Sequence, residues 1–65
     1  MIKVKRINNS EVVLNSDQIE YMEETPDLVI TLVSGRKLVV SQTLEEVIKM
    51  ILSYKRAIMT PVSNS

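Results

Sequence analysis

Between Asp27 and Val40 the chain reads DLVITLVSGRKLVV, two apolar, largely β-branched runs parted by the one glycine of the sequence. Such runs around Ser34-Gly35 predict a β-hairpin. A two-residue loop at Ser34-Gly35 would put Leu38 and Val40 on the face of Val29, Thr31 and Val33. A three-residue loop, Val33-Ser34-Gly35 with Gly35 left-handed, instead gathers Leu28, Ile30, Leu32, Leu38 and Val40 on one face. The second register is favoured because it makes one face strongly apolar. The opposite face, with Val29, Thr31, Lys37 and Val39, is still not properly polar, so something is expected to cover part of it.

Upstream, Ile2 and Val4 alternate with Lys3 and Lys5, so residues 2 to 7 predict a strand with one buried and one basic face. The following turn is placed at Asn8-Asn9-Ser10, where either Asn can take the positive φ otherwise left to glycine. A three-residue loop there puts Val12 and Leu14 on the side of Ile2 and Val4. Asn15-Ser16-Asp17 marks the next break, with Asx side chains able to accept from nearby amides. Gln18 to Glu24 predicts a third strand with Ile19 and Tyr21 on one side and Gln18, Glu20, Met22 and Glu24 on the other. Its acidic residues, Glu20, Glu23 and Glu24, read as a solvated edge. Thr25-Pro26-Asp27 ends that strand, because proline cannot donate to a ladder.

After Val40 the period changes. Thr43-Leu44-Glu45-Glu46 matches a capping box, and Leu44, Val47, Ile48, Ile51, Leu52, Lys55 and Ile58 recur at helical spacing. Residues 44 to 58 therefore predict an amphipathic helix whose stripe closes the sheet. Met22, Met50 and Met59 read as core filler. The expected architecture is α+β: a small antiparallel meander of four to five strands, then one C-terminal amphipathic helix. One domain over residues 1–58 and a flexible tail over 59–65 are expected.

Composition narrows the chemistry. With no Cys and no His, the 65 residues offer no thiol nucleophile, no conventional zinc cluster and no Ser/His/Asp triad. A single glycine does not make a phosphate-cradling loop. No catalytic residue, metal or cofactor is expected. Eight basic and eight acidic side chains sum to zero, which argues against nucleic acid as a partner, and no apolar run approaches a membrane span.

The order of features, MIKVKRIN, then LNSDQIEYMEETPD, VITLVSGRKLVV and SQTLEEVIKMILSYKR, resembles the FlbD family of small flagellar proteins, the SwrD-type swarming motility proteins. The resemblance covers about residues 1 to 58. Its most specific pieces are Leu14-Asn15 with Ile19 and Glu20, the Glu24-Thr25-Pro26-Asp27 turn, and Gly35 followed by basic residues. It implies a non-enzymatic bacterial protein, cytoplasmic or peripheral at the flagellar motor, that supports motility and swarming by protein contacts. Asn8-Asn9-Ser10 and Ser34-Gly35 both stand where the family usually has Asn-Gly.

The alternative is a small β-rich RNA-binding regulator, with Lys3, Lys5, Arg6, Arg36 and Lys37 as a basic edge. Against it stand the zero net charge and only two aromatic residues, both Tyr. The expected contact residues are Val29, Thr31, Val39 and Lys37, and the expected partners are a flagellar motor or basal-body protein and a second copy of the chain. Without Cys or metal ligands, a domain this small gains core most readily by oligomerising, here across the Val29/Val39 face.

Overall fold

The computed structural model describes residues 1–59. Five antiparallel strands precede one helix: β1 (Ile2–Lys5), β2 (Glu11–Leu14), a 3-10 turn (Ser16–Gln18), β3 (Ile19–Glu24), β4 (Leu28–Leu32), β5 (Lys37–Val40) and α1 (Leu44–Met59). The expected α+β meander is what forms. The helix runs to Met59, one residue into the expected tail of 59–65; residues 60–65 of that tail and the side chains of Ile58 and Met59 lie outside the described residues.

The central hairpin takes the favoured register. Leu28 faces Val40, Ile30 faces Leu38, and Thr31 faces Lys37. Leu32 N–H donates to Arg36 C=O and Gly35 N–H to Leu32 C=O, both at 2.8 Å, which closes the three-residue loop 33–35. Gly35 has φ +94°. The first hairpin uses the same device: Arg6 N–H donates to Ser10 C=O and Asn9 N–H to Arg6 C=O, again at 2.8 Å, with Asn9 at φ 72°. Its loop is thus Ile7-Asn8-Asn9, one residue earlier than the expected turn at Asn8-Asn9-Ser10. Ser10 instead continues the ladder, and its amide is held by Asn8 Oδ1 at 3.0 Å.

Two corrections concern side-chain direction. In β3 the ladder slips between Ile19, opposite Leu32, and Tyr21, opposite Thr31. Glu20 is the extra residue of this bulge, and an extra residue reverses the alternation beyond it. Ile19 and Met22 therefore pack against the core while Tyr21 is exposed, rather than Ile19 and Tyr21 sharing a side. In α1 the covered arc is rotated from the expected stripe. Val47 is fully buried and Leu44, Met50, Ile51 and Tyr54 pack beside it, but Ile48 and Leu52 are 40% and 55% exposed.

The two-stranded sheet β1-β2 and the three-stranded sheet β3-β4-β5 meet at one bridge, Arg6 with Val40. Ser41 N–H donates to Lys5 C=O at 2.8 Å and Ile7 N–H to Val39 C=O at 3.2 Å, so the end of β1 runs along the edge of β5. The spatial order becomes β2-β1-β5-β4-β3. Ile2, Val4, Leu14, Leu28, Ile30, Leu38, Val40 and Val47 make the core beneath it.

The helix starts as its sequence dictates. Thr43 N–H donates to Glu46 Oε1 at 2.8 Å and Glu46 N–H to Thr43 Oγ1 at 3.1 Å, the reciprocal pair of a capping box. Glu24 adds a third contact from β3, its carboxylate accepting from Leu44 N–H at 3.1 Å. Glu20 and Glu23 are exposed, as a solvated edge requires, but Glu24 also ties the sheet to the helix. Near the other end, Lys55 donates to Asp17 at 3.3 Å beside the 3-10 turn, where Asn15 Oδ1 accepts from Asp17 N–H at 2.9 Å.

Candidate contact surface

The four residues singled out in the sequence come together on the outer face of β4 and β5. Val29 sits opposite Val39 and Thr31 opposite Lys37. Their exposure is unequal. Lys37 is exposed, Val29 and Val39 are half-buried, and Thr31 keeps only 4% of its surface.

Thr31 is covered by its cross-strand neighbours, since Tyr21, Thr31 and Lys37 form one row across β3, β4 and β5. Lys37 Nζ lies 3.3 Å from both Tyr21 Oη and Thr31 Oγ1, and 5.5 Å from the centre of the Tyr21 ring. A lysine stem laid over a sheet in this way shields apolar surface while its ammonium stays in water. Part of the cover expected for this face is therefore supplied by the chain itself.

A second row runs Glu23, Val29, Val39, and the hydrogen bond from Ile7 to Val39 extends it onto the first hairpin. Ile7 is 58% exposed and completes an apolar stripe with Val39 and Val29. The sequence pattern places Ile7 at a strand end. Its odd number, in phase with Lys3 and Lys5, carries the outward direction, but the neighbour that makes it matter comes from β5, 32 residues away.

Beside this stripe lies an open groove lined by Arg6, Asn8, Arg36 and Lys37 together with Ile7, Leu38 and Val39. The two three-residue loops close the same end of the molecule, which is why cations from residues 6 and 36–37 share one groove. Lys3 and Lys5 do not join it; they stand exposed farther along β1. Among the described residues, no group of three or more Asp, Glu, His or Cys side chains is arranged to hold a metal ion, and no helix is long and apolar enough to cross a membrane.

With this geometry in view, comparison with protein families decides the relationship. The model of the family described as FlbD, flagellar and swarming motility proteins, matches residues 1–59. The chain belongs to the FlbD family. The match spans every strand, both hairpin loops and α1, so the family pattern and the folded unit coincide. No curated protein and no solved structure matches the chain. Membership makes this a flagellar and swarming motility protein, and the candidate surface belongs to the part of the chain that carries the family pattern.

Proposed function

We propose that the protein is a non-enzymatic motility factor of the SwrD type that acts at the cytoplasmic side of the flagellar motor by binding a motor or basal-body protein. The observation that carries this reading is the outer sheet face, where Ile7, Val39 and Val29 form an apolar stripe beside Arg36 and Lys37. An apolar strip with cations along one border suits a partner segment that alternates apolar and acidic residues. Val29, Val39 and Lys37 are its contact residues, extended by Ile7, while Thr31 supports Lys37 from beneath.

The test replaces Val29 and Val39 together by Lys in the motile cell, with photoreactive residues at the same positions in a parallel strain. Swarming should be lost at unchanged protein level, and crosslinks should form to a flagellar component. Parent-level swarming by the double variant would overturn the assignment. The cationic groove gives the RNA-regulator reading one specific foothold, and it predicts a different outcome: salt-sensitive, sequence-selective RNA binding that disappears when Arg6, Arg36 and Lys37 become Gln.

A further inference from the structure

The outward side of α1 carries an apolar pair that no part of the described chain covers. Ile48 and Leu52 are exposed there, one turn apart, while Val47, about 100° round the helix from Ile48, is fully buried in the core. Glu45 precedes the pair by three residues and Lys55 follows it by three, and all four side chains are exposed. The spacing three, four, three keeps them on one ridge of the helix.

The order of this ridge, acid, apolar, apolar, base, is complementary to its own reverse. Setting two copies antiparallel about a two-fold axis between Ile48 and Leu52 brings Ile48 against Leu52 of the partner subunit, and the reciprocal pair follows by symmetry. Glu45 then meets Lys55 of the partner subunit at each end. The parallel arrangement would instead set Glu45 against Glu45 and Lys55 against Lys55, which repel. The opposed helix dipoles of the antiparallel pair add to the same preference. We infer that the chain self-associates through this ridge as an antiparallel, two-fold symmetric helix pair.

Lys55 is available for the added contact. It is 46% exposed and uses one N–H on Asp17, and an ammonium has three to give. An open groove lined by Glu24, Thr43, Leu44, Glu45 and Ile48 adjoins the ridge at its acidic end, where the partner's Lys55 would arrive. The contact is short, since 16 helical residues span about 24 Å, so the pair belongs with small, reversible interfaces. It lies apart from the Val29/Val39 face. Those valines are half-buried and Thr31 in the neighbouring row is covered, whereas Ile48 and Leu52 are exposed. The inference does not depend on the proposed motor contact, which uses the other side of the molecule.

Two measurements test it. Sedimentation of the full chain from about 10 µM to about 1 mM should show mass rising toward twice the 7.4 kDa of one chain. The Ile48→Ser/Leu52→Ser variant should stay monomeric with unchanged circular dichroism. Because the chain has no Cys, single-thiol variants report the orientation directly. On oxidation of an equimolar mixture of Ile48→Cys and Leu52→Cys chains, the mixed disulfide should exceed its statistical share, since only opposed positions bring the two Cβ atoms within disulfide range. A monomer throughout the concentration range, a dimer unaffected by the double serine change, or a predominance of the symmetric disulfides would overturn the inference.

Discussion

The two hairpins of this protein close with the same turn and differ in what lies on their outer faces. Each loop has three residues, and each ends on a residue at positive φ, Asn9 in one and Gly35 in the other. Strand β1 alternates cleanly, with Ile2 and Val4 buried and Lys3 and Lys5 exposed. Strands β4 and β5 do not alternate in this way: Leu28, Ile30, Leu38 and Val40 are buried on the inner face, and Val29, Thr31 and Val39 are at least half-buried on the outer one. Identical turn geometry therefore says nothing about surface chemistry. The alternation of the strands sets that, and the hairpin lacking clean alternation is the one that carries the proposed contact surface.

The largest effect that separates the hairpins comes from placing the same charge on opposite sides of the structure. Ile30→Asp buries a carboxylate at a position with no exposed surface and without a partner, and should unfold a domain whose total stability is on the order of 5 kcal/mol. Val13→Asp, at 61% exposure on the outer side of β2, should stay within about 0.5 kcal/mol of the parent in chemical denaturation. A folded Ile30→Asp protein would show that the inner face of β4 is not the core.

The turns give a smaller contrast. A Cβ at Gly35 would meet no atom within 4 Å beyond its chain neighbours, so the cost of Gly35→Val lies chiefly in its φ of +94°. Roughly 1–3 kcal/mol of lost stability is expected. Asn9→Gly asks for a conformation that glycine takes freely, and its thermal midpoint should move little in either direction. Equal losses at the two positions would break the equivalence of the two turns.

Much of this was readable in the residues. The capping box at Thr43 to Glu46, the Asx contact at Asn15 and the left-handed Gly35 are local devices, set by side chains within three or four positions of the groups they serve. The register of the central hairpin followed from loop chemistry and apolar pattern together. The departures arose where a distant element decides. The apolar positions of α1 span an arc wider than one sheet covers, so periodicity found the helix but not which flank would remain exposed at Ile48 and Leu52. Glu20 looks like any other outward glutamate until β4 sets the register that makes it a bulge. Within the proposed contact surface, the shared face of Val29, Thr31, Val39 and Lys37 is readable from β4 and β5 alone, while Ile7 requires the meeting of β1 with β5.

That meeting has a kinetic side. The hairpins are local, each joining residues fewer than about fifteen positions apart, but the seam from Lys5 to Ser41 spans 36 positions and rests on a few hydrogen bonds. Closing so long a loop carries a larger entropic cost than closing either hairpin, and few hydrogen bonds offset it, which makes the seam the last backbone contact to form and the first to open. Amide exchange should reveal this order, with the Ile7 and Ser41 protons exchanging ahead of the Ile30 proton. Equal protection at all three would mean that the whole sheet opens as one unit. If the seam does open first, Ile7 parts from Val39 while each hairpin stays intact, and the apolar stripe is dismantled at a fraction of the free energy of unfolding.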